Sequence, residues 1–164
     1  MAREGFRKII ELVRKAAELA RTVGIQNLLQ PGLLKEMIVA DLLGHALIPD
    51  KRGADAHDPA DHTVKYEYLS CKEGGTGQLD RMFSAPPDKR AESLARITRN
   101  HLVFFAVFEA RGQTQVKIIY ELDPEMVLRE TERRLDNSIN QISHVGFSEN
   151  WARANGRIVY SKSD

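Results

Sequence analysis

The chain has 164 residues, 42% apolar and 29% charged, with 24 Lys and Arg against 23 Asp and Glu, one cysteine and five histidines. That suits one packed domain and excludes a disordered chain, while the lack of a long apolar run, of a second cysteine and of any Cys/His spacing excludes a membrane-spanning helix, an internal disulfide and a zinc site. A net charge of +1 argues against a uniformly basic nucleic-acid binder, although an average can conceal opposed patches.

From Gly5 to Val23, apolar residues recur at three- and four-residue spacing with Arg7, Lys8, Arg14, Lys15 and Arg21 between them, which predicts an amphipathic helix ended by Gly24. The same stretch lacks the continuous apolar block of a signal peptide, and its glutamates argue against a transit peptide, so a cytoplasmic location with no membrane partner is expected. After the Pro31-Gly32 break, LLKEMIVADLLG reads as a second, mostly buried helix that stops at Gly44. A strand, a turn-rich segment and a second strand at about 64–71 follow. The Gly74-Gly75-Thr76-Gly77 stretch reads as a flexible turn, and Lys89 to Arg99 as a helix. The continuous apolar run from His101 to Ala110 is expected to be a central strand covered on both faces, with Gln113–Leu122 as its neighbour. Asp123 and Pro124 carry the N-cap and first-turn signature of a helix, and the tail from Asn137 reads as polar loop with a short strand near Arg157–Ser161. No internal repeat or linker divides this order. The expected fold is α/β, a mixed central β-sheet flanked by helices, forming one domain over residues 1–164.

The chain lacks a P-loop, a G-x-S-x-G elbow, an H-E-x-x-H pair and a dinucleotide fingerprint. The informative stretch is Gly53-Ala54-Asp55-Ala56-His57-Asp58, followed by Tyr66-Glu67-Tyr68-Leu69-Ser70. An acid at a strand start and another inside a neighbouring antiparallel strand can converge on one hard divalent cation, which needs oxygen ligands and assists phosphodiester hydrolysis. Strand parity puts Val64, Tyr66, Tyr68 and Ser70 on one face, and Lys65, Glu67, Leu69 and Cys71 on the other. Glu67 therefore shares a face with apolar neighbours and needs a partner; a metal or an ion pair at the strand edge would each serve.

This order of elements, including Glu36 in the second helix, the Asp55 and Glu67 stretches and the aromatic strand Phe104–Phe108, resembles the PD-(D/E)xK nuclease superfamily. Within it, the likeness is to small dimeric type II restriction endonucleases of the PvuII kind, and it runs from about Val23 to Glu125. The resemblance implies a restriction-endonuclease-like fold and a Mg2+-dependent endonuclease acting on double-stranded DNA. Asp55, Glu67, the Tyr68 carbonyl and Glu36 would serve the metal. Where the family carries a catalytic lysine, this sequence has Leu69; Lys72 is the nearest substitute, with Lys65 and Lys35 as alternatives. Lys72 falls on the opposite face of a regular strand and needs a bulge or an early strand end to take part. A DNA-binding module with a degenerate nuclease site and a structure-specific repair nuclease are the competing readings.

Charge by segment sharpens the picture. Residues 1–32 carry six Lys/Arg and three acids, residues 33–63 three and six, and residues 64–100 seven and five. An acidic centre with basic flanks suits a cation at the floor of a phosphate-binding cleft. Arg81, Lys89, Arg90, Arg96 and Arg99 are phosphate candidates on one side, and Arg153, Arg157 and Lys162 on the other. Base reading requires fixed donors and acceptors on segments that can enter a groove. Gln78, Asp80 and Arg81 fit on one stretch, and Asn140, Gln141 and His144 on a second, within a DNA-contacting region at 137–164. Trp151 and Phe147 read as core anchors. The resemblance makes residues 33–123 the catalytic core. It also implies a homodimer paired through the helix of residues 1–24, whose wide apolar stripe could instead pack on its own sheet, and a DNA methyltransferase as a genetic partner.

Overall fold

The computed structural model describes residues 2–49 and 53–162. In chain order the elements are α1 (Ala2–Thr22), α2 (Leu33–Leu43), β1 (Ala46–Leu47), β2 (Ala56–His57), β3 (Lys65–Lys72), β4 (Thr76–Phe83) and α3 (Pro87–Thr98). They continue with β5 (Leu102–Phe108), β6 (Val116–Leu122), α4 (Pro124–Asp136), β7 (Ile142–Ser148), α5 (Glu149–Asn155) and β8 (Arg157–Ser161). Six strands form one sheet in the order β1-β2-β3-β5-β6-β8, parallel at β3–β5 and antiparallel elsewhere. The fold is thus mixed α/β, a mixed central sheet flanked by helices.

The central position of β5 follows from its sequence. From Val103 to Phe108 every residue is buried, and alternate side chains enter two separate cores. Val103, Phe105 and Val107 join Ile97 of α3, Val127 and Leu135 of α4 and Ala152 of α5 on one face. Phe104, Ala106 and Phe108 join Val39 and Ala40 of α2 on the other. The parity expected for β3 holds, since Leu69 and Cys71 enter the first core while Tyr66 and Tyr68 enter the second. Helix α4 is capped by Asp123, whose carboxylate accepts from the Glu125 amide at 2.9 Å, with Pro124 in the first turn. Helix α2 ends on Gly44 in the left-handed region, as expected. It is less covered than its apolar sequence predicts: Leu34 and Leu42 face outward at 48% and 39% exposure.

Three readings need correction. The segment from Thr76 is strand, with only Gly74 and Gly75 left for the turn. Gly77 lies so close to the sheet that a Cβ there would sit 2.9 Å from the Phe105 ring and 3.2 Å from Leu69, so glycine lets β4 pack on β3 and β5. The tail holds β7 and α5 as well as β8, and β7 pairs antiparallel with β4 in a separate two-stranded ribbon. The absence of a repeat also fails in α1. Phe6-Arg7-Lys8-Ile9-Ile10-Glu11-Leu12 and Val13-Arg14-Lys15-Ala16-Ala17-Glu18-Leu19 match in residue type at a seven-residue interval. Among the described side chains of α1 only Ala20 is buried, against Ile25 and Leu33. Phe6, Ile9, Leu12 and Leu19 are all more than half exposed, so the stripe does not pack on the sheet of its own chain.

Candidate active site

Asp55 is fixed before its side chain is considered. Its amide donates to the Tyr66 carbonyl at 3.0 Å and its carbonyl accepts from the Ile48 amide at 2.8 Å, which stitches the segment between β1 and β2 onto the edge of β3. Carboxylate Oδ2 then accepts from the Tyr68 amide at 2.8 Å. Because a strand residue directs its N–H and C=O to the same side, the Tyr68 carbonyl also faces this edge.

Glu67 sits opposite Val103 in the parallel pair, its side chain on the α3 face. Asn100, buried just beyond the end of α3, reaches Glu67 Oε2 with its Nδ2 at 3.4 Å, while the same amide holds the Arg96 carbonyl at 2.9 Å. Burial, then repulsion from Asp55, pushes the Glu67 carboxyl up to about 8, and Arg99 and Arg96 act against that rise. A cleft of about 730 Å³ opens above it, lined by Gly53, Asp55, Glu67, Asp80 and the wall formed by Glu92, Ala95 and Arg96 of α3 with Arg99, which caps that helix. Those four residues are spaced i, i+3, i+4 and i+7, one side of a helix, since Arg99 keeps helical backbone at the cap.

The donor chemistry suits a hard cation. Two carboxylates repel each other at the cleft floor and a main-chain carbonyl faces the same edge, an all-oxygen set whose repulsion a divalent ion relieves. Asp55, Glu67 and the Tyr68 carbonyl are the groups that would hold it. Among the described residues, no three His, Cys, Asp or Glu side chains form a ready-made metal cluster. Glu36 does not line the cleft. It lies in the first turn of α2 and acts on Glu67 and Tyr68 as a like charge, raising both. The Tyr68 hydroxyl, on the other face of β3, is paired with His45 Nδ1 at 2.8 Å.

The lysine substitutes do not reach the site. Strand β3 pairs with β5 residue for residue from Tyr66 to Lys72, without a bulge. Lys72 is therefore on the opposite face from Glu67 and about 16 Å along the strand at roughly 3.3 Å per residue, which removes it as a catalytic residue. Lys35 rests over the Phe108 ring at 5.1 Å on the α2 face. Lys65 shares the parity of Glu67 but is exposed at the start of β3 and does not line the cleft. Leu69 itself is 3% exposed in the core beneath Gly77. Among the described residues, the cations that face Glu67 are Arg96 and Arg99, which charge distribution alone had marked as phosphate candidates.

The two stretches proposed to read bases come together, the first on a strand and the second on a connection and the strand that follows it. Gln78, Asp80 and Arg81 lie on β4 and His144 on β7, with Asn140 and Gln141 in the connection leading into β7. The ribbon is regular from Thr76 to Leu79 and bulges at Asp80 and Arg81, where Arg81 has φ of 52°. Beside the bulge, Asp80 Oδ1 meets His144 Nδ1 at 2.8 Å. The Asp80 carbonyl accepts from Arg96 at 3.1 Å, so the ribbon and the cleft share a wall. All six side chains are exposed. The opposite set of basic residues is engaged elsewhere: Arg153 pairs with Glu149, Arg157 with Glu121 and Lys162 with Glu109. Ser163 and Asp164, the end of the expected DNA-contacting region, lie outside the described residues. Phe147 is fully buried and Trp151 packs on it at 4.7 Å between ring centroids, as expected of core anchors.

Asn100 and Glu92 were missed by sequence reasoning. Their signal was the polar face of α3, Glu92-Ala95-Arg96-Arg99-Asn100, which in sequence is indistinguishable from an ordinary solvated helix face. No protein-family model matches the chain, and no match is found among curated proteins.

Proposed function

We propose that this protein is a Mg2+-dependent DNA endonuclease of type II restriction type, hydrolysing phosphodiester bonds in double-stranded DNA. The observation that carries the reading is the convergence of Asp55, locked onto the Tyr68 amide, and Glu67 at the floor of one cleft with two arginines on its wall. Asp55, Glu67 and the Tyr68 carbonyl would hold a divalent ion, which when bound would supply a lowered pKa for water and charge neutralisation for the phosphate. The chain's own residues do the rest. Asp55 and Glu67 would hold the ion, and Asn100, whose side-chain amide donates to Glu67 Oε2, keeps that carboxylate directed at the cleft. In the reaction, water oxygen bonds to phosphorus, the bond from phosphorus to one ester oxygen breaks, and that oxygen takes up a proton, leaving a phosphate monoester and a hydroxyl end.

The exposed β4–β7 ribbon at the edge of the cleft supports sequence reading, because a two-stranded antiparallel ribbon fits the major groove and presents side chains with fixed donors and acceptors. Gln78, Asp80, Arg81, Asn140, Gln141 and His144 are the reading groups. Helix α1 supports a homodimer. Its apolar residues repeat at heptad spacing over a helix about 30 Å long at 1.5 Å per residue, and its own domain covers only its last turn. A second copy of α1 is a self-complementary cover that needs no other partner, and two cut sites would then act on one duplex. A cognate DNA methyltransferase and a cytoplasmic location belong to the same reading.

Leu69 favours one second reading, a DNA-binding module whose nuclease site is degenerate. Incubation with plasmid DNA and Mg2+ decides. Discrete fragments that vanish with EDTA support the restriction reading, binding without cleavage supports the degenerate module, and cutting confined to branched or damaged DNA supports a structure-specific nuclease.

A further inference from the structure

We infer that Arg99 and Arg96 bind the phosphate group under attack, supplying from α3 the positive charge that Leu69 cannot supply from β3. The inference rests on the nuclease reading and adds two residues to it. Charge pairing carries the argument. Elsewhere the arginines near acids are consumed by them: Arg90 by Asp136, Arg133 and Arg134 by Glu130, Arg153 by Glu149, Arg157 by Glu121. In the cleft, by contrast, the acids are held by other groups. Asp55 accepts from the Tyr68 amide, Asp80 pairs with His144, and Glu92 pairs with Lys89.

Among the described residues neither Arg96 nor Arg99 is in an ion pair. Arg96 donates to the Asp80 carbonyl at 3.1 Å and Arg99 to the Gly53 carbonyl at 2.7 Å. Each contact spends one of the five N–H donors of a guanidinium and anchors the side chain without neutralising it. The two residues are three apart, so their side chains project from one face of α3, into the cleft that holds Asp55 and Glu67. Ala95 lines the same wall. Two planar, cationic forks over a carboxylate pair make a cradle for one tetrahedral dianion-like group, with the forks binding non-bridging oxygens in bidentate fashion. Leu69, at the family's lysine position, is buried beneath Gly77 of β4 and turns no charge into the cleft.

The test uses the full-length protein, a mixed-sequence DNA duplex in EDTA for binding and plasmid DNA with Mg2+ for cleavage. Arg96→Ala combined with Arg99→Ala is expected to flatten the dependence of log K on log salt by about 0.9, the loss of one phosphate contact, and each single alanine variant to slow cleavage by about 10²–10³-fold. Arg99→Lys keeps the salt slope but recovers only part of the rate, and guanidinium ion added to Arg99→Ala restores cleavage that it does not restore to Asp55→Ala. Thermal melting of Arg99→Lys beside wild type confirms that the fold is intact. A wild-type salt slope in the double variant with wild-type rates in both single variants overturns the inference while leaving the nuclease reading in place. So does lost cleavage with an unchanged slope and no guanidinium rescue, which makes the arginines supports for Glu67. A wild-type protein that neither binds nor cuts DNA overturns the nuclease reading instead.

Discussion

Replacing Glu67 by Gln isolates the electrostatic cost of the site. The carboxyl, ordinarily near 4.5, is pushed up to about 8 by burial and by Asp55. Between these values the folded protein keeps a proton that the unfolded chain has released, so stability falls as pH rises through the window and levels off above about 8. At 1.36 kcal/mol per unit, the full span is worth at most about 5 kcal/mol. Gln is close in shape and cannot ionise, which removes this dependence. Urea melts of wild type and Glu67→Gln from pH 5 to 9 should therefore coincide at the acid end and diverge upward, the variant being the more stable by several kcal/mol at pH 9. Millimolar Mg2+ should close the gap by stabilising the wild type alone, since the ion binds the ionised pair. Parallel stability profiles across the whole range would refute the reasoning, because they would mean that Glu67 ionises as freely in the folded chain as in the unfolded one.

Further outcomes follow from the same geometry. Restoring the family lysine with Leu69→Lys should not raise cleavage and should lower the melting temperature, because a position 3% exposed between β3 and β4 has no room or partner for an ammonium; calorimetry and plasmid cleavage check both halves. Phe6→Glu combined with Ile9→Glu should leave the melting temperature close to wild type while shifting the protein from dimer to monomer in analytical ultracentrifugation, as both side chains are more than half exposed on one chain. His144→Ala breaks an exposed pair with Asp80 worth about 0–1 kcal/mol. It should change stability little and the set of sites cut substantially, as read by sequencing of fragment ends.

How much of this was legible in the sequence depends on what kind of signal each element carries. Helices α1 and α4 and strands β5 and β6 announce themselves through apolar periodicity, a cap or an unbroken apolar run, all local features. The pairing of Asp55 with Glu67 was legible for the same reason: strand parity fixes a face, and an acid on an apolar face asks for a partner. Strands β4 and β7 were not legible, because each offers only two or three buried residues, such as Leu79 and Met82 or Val145 and Phe147, among glycines and polar side chains. Each becomes a strand through the other, across a long sequence separation that a local pattern does not contain. The contact of Asp80 with His144, and the shared wall through Arg96, belong to that class. The exclusion of Lys72 depended on whether β3 bulges, which only the register against β5 decides.

The central claim is that Asp55 and Glu67 together form a cation-dependent phosphodiesterase site. Supercoiled plasmid incubated with Mg2+ and either wild type or Asp55→Ala tests it most directly. Wild type should linearise or fragment the plasmid, and Asp55→Ala, folded and still able to bind duplex DNA, should leave it supercoiled. Cleavage by Asp55→Ala at the wild-type rate would contradict it.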